Sequence, residues 1–241
     1  VNYKEKPDVG TFMREWLSLY DSKSGERGIY NGMSAKKTVE QLNERYEDGD
    51  GNHVLRRDPR NDFGTNPCSE IILRSREFCN LSEIVVRRED TRESLKEKVR
   101  SATILGTFQS TLTEFKYLSK EWKRNCDEER LLGVSLTGIM DNPITNGTRN
   151  GLKELLEELR DVAYETNKEW SDKLGIPTSA AITCVKPSGT VSQLVDSASG
   201  IHARHSPFYI RTVRADTKDP LCKLMQDMGF PNEADVTKPD H

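Results

Sequence analysis

The chain has 241 residues, of which 36 are Lys or Arg and 39 are Asp or Glu, for a net charge of −3. A near-balance of mixed charge gives no basic excess for phosphate contacts, so direct nucleic-acid binding is not expected. No apolar run approaches the ~20 residues of a membrane span, the opening Val1-Asn2-Tyr3-Lys4-Glu5-Lys6 lacks a signal peptide's apolar stretch, and five cysteines fit reduced thiols in the cytoplasm better than a disulfide framework.

In chain order, Asp8 is placed to cap a helix carrying Phe12, Trp16, Leu17 and Tyr20. The rest of 1–62 reads as polar and irregular, with a turn over 21–30. A loop at 47–52 has some look of a calcium loop but lacks its closing Glu. Short apolar runs at 71–73 and 78–86 follow, the second ending in β-branched Ile84-Val85-Val86 as strands prefer. Helical spacing over 90–115 brings Leu95, Val99, Ala102, Leu105, Phe108 and Leu112 to one face. Residues 120–130 read as an exposed charged connection and 131–139 as a buried strand. An amphipathic helix over 151–174 is stopped by Gly175. Strands are expected at 180–185 and 208–213, and a helix entered through Pro220 at 220–228. Alternation of this kind predicts an α/β layer or barrel. Trp16, Trp122 and Trp170 read as packing residues, and Cys126, Cys184 and Cys222 as structural thiols, with Cys126 in a charged and exposed setting.

Chemistry concentrates in Gly64-Thr65-Asn66-Pro67-Cys68-Ser69-Glu70. Asn66, Cys68 and Glu70 are spaced by two, and an extended segment would project them to one face, with Pro67 favouring extension. An amide, a thiol and a carboxylate would then share one surface. A buried Cys in a turn with solvated neighbours is the plainer alternative. Cys79, in Phe78-Cys79-Asn80-Leu81, is either a redox thiol within reach of Cys68 across a hairpin or a strand Cys packed in the core. Paired Cys-x-x-Cys and a nearby His are missing, so no metal site is expected. Lys186-Pro187-Ser188-Gly189-Thr190-Val191-Ser192 follows an apolar run. It either presents N–H groups and hydroxyls to an anion or is an ordinary turn; it is not a Walker loop.

Asn66-Pro67-Cys68-Ser69-Glu70, followed at position 79 by Cys-Asn-Leu, resembles the catalytic finger of ribonucleotide reductases. The resemblance implies that Cys68 carries a transient thiyl radical that takes the ribose 3′-hydrogen. Glu70 is then the base on the 3′-hydroxyl, Asn66 binds the ribose hydroxyls, and Cys79 is one of two thiols that deliver electrons and become a disulfide. Ser188, Gly189 and Thr190 match the loop that holds the substrate phosphates. The stretches 197–202 and 206–211 look like the adenosylcobalamin-dependent class, especially its triphosphate-reducing branch. His202 and His205 are tempting cobalt ligands, but the resemblance supplies none there. Gly25 to Asn31 is similar to the segment upstream of the finger.

The resemblance further implies an α/β fold that is the C-terminal half of a ten-stranded α/β barrel around a central cysteine finger. The whole of 1–241 is then a partial catalytic barrel: a polar helix and loop region at 1–62, the finger and redox strand at 63–86, and further α/β units at 87–241. Adenosylcobalamin is the implied cofactor. The implied partners are a ribonucleoside triphosphate or diphosphate, a thioredoxin-like or other dithiol reductant, and the N-terminal barrel half, which carries the second redox thiol; no membrane is involved. Such a chain is expected to be inactive alone. The alternatives are the large subunit of the class that uses a separate radical-generating subunit, and an inactive reductase fragment serving as an assembly module.

Overall fold

Asp8 accepts a hydrogen bond from the Thr11 N–H at 3.0 Å and starts the first helix, as its sequence position predicts. The computed structural model describes residues 2–3, 5–23, 28–47 and 50–234, so 25–27 of the upstream resemblance and 48–49 of the calcium-like loop lie outside the described residues. The chain divides into two units, residues 1–204 and 205–241.

In the first unit, β1 (Asn2–Tyr3) pairs in parallel with β2 (Tyr30–Asn31), and α1 (Val9–Ser22) lies between them in sequence. The apolar face of α1 is substantially exposed, Trp16 and Tyr20 stacking on one another. Next comes α2 (Gly32–Asn43), a helix the polar reading of 1–62 missed. Its apolar face is short, but Asn31 caps it by accepting from the Ser34 N–H. Ala35 and Val39 bury themselves against Phe63, beside Tyr30 and Ile72. Phe63 and Ile72 stand on β3 (Phe63–Thr65) and β4 (Ile72–Arg74), an antiparallel hairpin.

The central layer pairs β5 (Asn80–Val85) in parallel with β6 (Leu132–Thr137). Between them in sequence run α3 (Arg92–Gln109) and α4 (Lys120–Glu129). One face of the layer packs Ile84, Val86, Leu132 and Val134 against Leu95, Val99 and Ala102 of α3 and against Leu155, Leu159 and Ala163 of α5 (Leu152–Leu174). The α3 helix stops short of its predicted end, and Leu105, Phe108 and Leu112 are exposed. Its buried stripe continues instead through Thr103, Gly106 and Thr107. The threonines pass unnoticed in an apolar count because their hydroxyls donate to carbonyls four residues back. Gly175, at φ 65°, ends α5 as predicted.

The strand expected at 180–185 lies alongside β6 but forms only one isolated bridge, Val134 to Thr183. Its backbone is held by Leu132 N–H to Ala181 O at 3.0 Å and Cys184 N–H to Val134 O at 3.0 Å. A four-residue helix, α6 (Val191–Leu194), follows. In the second unit, α7 (Pro220–Asp227) forms as predicted, capped by Asp219. The strand expected at 208–213 does not form: the segment makes no ladder among the described residues, and Phe208 and Ile210 are almost fully exposed. A β-branched run becomes a strand only where a neighbouring edge accepts its hydrogen bonds.

The charged stretch at 120–130 is the largest correction. It is α4, and its Cys126 is buried, not exposed. Its far end joins a buried four-charge cluster. Arg57 and Glu129 make an ion pair at 2.6 Å without hydrogen-bond alignment, and Arg57 reaches Glu77 at 3.2 Å. Arg74, at the end of β4, reaches Glu129 at 2.8 Å. Burial pushes the Glu129 carboxyl up to about 8, with Glu77 adding to the rise and Arg57 and Arg74 opposing it. A carboxyl raised from 4.5 to about 8 binds its proton more tightly folded than unfolded. That stabilisation is complete below the unfolded value and is lost as pH rises towards 8. Thermal unfolding of the protein between pH 5 and pH 8 should therefore show stability falling as pH rises, with Glu129→Gln flattening the slope; an unchanged slope would refute the assignment.

Candidate functional site

The hairpin β3–β4 is a finger whose turn, residues 66–71, carries the sequence-predicted site residues. The turn is not extended. Ser69 donates its N–H to Asn66 O at 3.0 Å and sits at φ 64°. The Asn66 amide closes the turn by accepting from the Ile71 N–H at 3.0 Å. The spacing argument therefore fails in its geometry: the three residues are gathered by a tight turn, not by the alternation of a strand. Cys68 is exposed at its tip. Glu70, two residues on, is instead buried, with a side chain only 3% exposed.

The finger lies against the second face of the central layer. Ile71 and Leu73 share a cluster with Leu131, Ala180, Leu81, Cys79 and Cys184. Gly133 on β6 makes this approach possible: a Cβ there would lie 2.4 Å from Leu81 Cδ2 and 3.3 Å from Ile71 Cδ1. The base of the finger is fixed by charge. Arg57 donates to Ile72 O at 2.7 Å, and the Arg74 N–H donates to Glu77 at 2.8 Å.

Glu70 meets Lys186 here. The Lys186 Nζ donates to Glu70 Oε1 at 3.2 Å, across 116 residues of sequence. Burial acts to raise the Glu70 carboxyl, but its own N–H, Asn66 and Lys186 together hold it below the ordinary value. Glu70 is thus charged at neutral pH and able to accept a proton. Cys79 is half-buried, and burial first, then the Glu70 charge, raises its thiol. Cys184 is pushed up to about 12 by burial, Glu70 and Cys79.

Lys186 opens the second predicted segment. Within it the Ser188 hydroxyl is buried and has no hydrogen-bond partner among the described residues, whereas Gly189 and Thr190 are exposed. Gly200, at φ 53°, lets the 197–201 loop press on this turn, since a Cβ there would lie 3.1 Å from Lys186 O. The finger residues Asn66, Cys68 and Glu70, the redox candidate Cys79 and the turn 187–190 are therefore neighbours. Lys186 and Cys184 were missed as members of the site. No spacing rule signals a partner so far away in sequence, and only the position of Lys186 directly before the Pro-Ser-Gly-Thr turn hints at it. His202 is exposed and rests on Ser199 O. Among the described residues no group of His, Cys, Asp and Glu is arranged to hold a metal, and no helix is long and apolar enough to cross a membrane. A separate cavity of about 890 Å³ is lined by Val134, Leu136, Leu156 and Val185; it shares Cys184 but none of the finger residues.

No family model matches the chain. It is 26% identical over 245 residues to an adenosylcobalamin-dependent ribonucleoside-triphosphate reductase of Lactobacillus gasseri, covering 90% of this chain and 31% of that protein. It is 32% identical over 181 residues to the reductase of the same name from Euglena gracilis, covering 74% of this chain and 24% of that protein. The crystal structure of a B12-dependent (class II) ribonucleotide reductase superposes over 97% of this chain and 34% of that one, with a TM-score of 0.61 at 24% identity. The α subunit of the Actinobacillus ureae class Id reductase superposes over 91% of this chain and 46% of that one, with a TM-score of 0.52 at 15% identity. These two likenesses concern the fold, which is the α/β architecture of the reductase barrel. The chain spans 24–31% of the length of these curated relatives. Across most of its length the chain is similar to adenosylcobalamin-dependent ribonucleoside-triphosphate reductases.

Proposed function

We propose that this chain carries the catalytic finger and phosphate turn of an adenosylcobalamin-dependent ribonucleoside-triphosphate reductase. The observation that carries the reading is the Glu70–Lys186 contact, because it joins the finger to the Pro-Ser-Gly-Thr turn in one place. In this reading Ser188, Gly189 and Thr190 hold the substrate phosphates, and the unpartnered Ser188 hydroxyl is a donor suited to a phosphate oxygen. Asn66 orients the ribose hydroxyls. Cys68, as a thiyl radical, takes the 3′-hydrogen atom, and Glu70 takes the proton of the 3′-hydroxyl. The 2′-hydroxyl then leaves as water.

The electrons balance through thiols. Replacing C–OH by C–H consumes two electrons and two protons, which Cys79 and a second thiol supply as they become a disulfide. An external dithiol reductant restores them, and the second thiol belongs to the N-terminal part of the barrel. The exposed tip of the finger fits the cofactor, because Cys68 is reachable from outside the turn. When bound, adenosylcobalamin supplies homolytic chemistry that removes the thiol hydrogen atom.

The test is anaerobic incubation of the full-length protein with ribonucleoside triphosphates and a dithiol, with and without adenosylcobalamin. Deoxyribonucleotide formed only with the cobalamin is the expected result. Product that instead required a separate radical-generating subunit would place the protein in the other class, and no product under either condition would refute the reading.

A further inference from the structure

Lys186 is rooted firmly. Its N–H donates to Ser135 Oγ at 3.0 Å, on β6. From this root its side chain crosses to the finger and reaches Glu70. The two ends of the pair differ in burial: the Glu70 side chain is 3% exposed and that of Lys186 is 28% exposed. Glu70 keeps a second oxygen, Oε2, buried and without a hydrogen-bond partner among the described residues. A buried carboxylate stays charged only when a cation or donors compensate its lost hydration. Lys186 is the cation that does so here, and the residue after it begins the turn at 187–190.

We propose that Lys186 is a positioning residue that keeps the Glu70 carboxylate charged and aimed, and that links this base to the neighbouring turn. The role of Glu70 as a base rests on the functional reading above. The ion pair and its electrostatic reach do not.

Several charged or titratable groups face this pair. Cys68 comes from the finger turn, Cys79 from the entry to β5, and Cys184 from the segment beside β6. Glu77 acts on Cys79, and Glu83 of β5 acts on Cys184. Glu70 raises both Cys79 and Cys184, and Lys186 lowers both. Cys79 therefore reports on the pair without any need for turnover.

The experiment uses the full-length protein as wild type, Lys186→Met, Lys186→Arg and Glu70→Gln. The rate of Cys79 alkylation by iodoacetamide is followed against pH by peptide mass spectrometry. Lys186→Met should move the alkylation midpoint up by about half a pH unit or more, and Glu70→Gln should move it down by a similar amount, since the two charges act oppositely on the thiol. Lys186→Arg should leave it near the wild-type value. In turnover, the acid limb of the kcat/KM profile should move to higher pH in Lys186→Met, because Glu70 loses the cation that favours its charged form, and Lys186→Arg should restore it. A midpoint unmoved in Lys186→Met, or unmoved in Glu70→Gln, overturns the proposal, as does a Lys186→Arg protein that behaves like Lys186→Met. A wild type that reduces no ribonucleotide defeats the functional reading instead, and the alkylation midpoints then decide the role of Lys186 alone.

Discussion

Cys68→Ser in the full-length protein should abolish deoxyribonucleotide formation while leaving the fold intact. Cys68 is exposed at the tip of the turn, and the turn is closed by Asn66 and Ile71, not by the thiol. Serine therefore fits the backbone, and stability should change little. The chemistry does not survive the exchange, because an alcohol O–H bond is much stronger than a thiol S–H bond and cannot be traded for a ribose C–H bond. An added barrier of about 7 kcal/mol already costs about five orders of magnitude in rate. Turnover should fall below detection, at least about ten-thousand-fold by the same arithmetic. Unchanged thermal unfolding together with lost turnover is the expected pair of results. Retained turnover above a few per cent of wild type, on that arithmetic, would remove Cys68 from the radical step.

Arg57→Met should be the most destabilising single change among the residues that hold the finger. The guanidinium is 1% exposed and compensates Glu77 and Glu129, whose side chains are 0% and 3% exposed. It also donates to Ile72 O and lies 4.9 Å from the centre of the Phe63 ring. Methionine fills much of the volume but leaves two carboxyls with Arg74 as their remaining partner. Breaking a buried pair from one side costs about 3–5 kcal/mol. Denaturant unfolding above pH 8, where the wild-type Glu129 is charged, should show that loss, and lowering the pH should recover part of it, since a protonated carboxyl no longer needs the cation. A loss below about 1 kcal/mol above pH 8 would mean that the cluster is solvated in solution, as exposed pairs are.

The candidate residues of the site are easier to read in the sequence than their supports. Asn66, Cys68, Glu70 and Cys79 are legible as a motif because reactive residue types stand at short, fixed spacings. In sequence the turn that gathers them looks extended, since Pro67 favours extension and nothing local reveals that the Asn66 side chain closes a turn. The helices α2 and α4 were missed for related reasons. The first has few apolar positions, and the second is charged on most of its surface, while both owe their place to long-range contacts: Val39 with Phe63 in one case, Glu129 with Arg57 in the other. Strength of pattern did not guarantee structure either. Residues 208–213 have the composition of a strand but form no ladder among the described residues, because a strand is completed by its neighbour. Lys186 marks the limit of local reading, for its partner Glu70 lies 116 residues earlier.

The most direct measurement follows the bond that the finger is proposed to break. Full-length protein is incubated anaerobically with adenosylcobalamin, a dithiol and a ribonucleoside triphosphate carrying deuterium at the 3′ carbon. A primary isotope effect on deoxynucleotide formation in the wild type, with no 3′ C–H cleavage in Cys68→Ser, is the result expected of a thiyl radical at Cys68. Deoxynucleotide formation that proceeds equally well in Cys68→Ser, or a wild type that never cleaves the 3′ C–H bond, would contradict it.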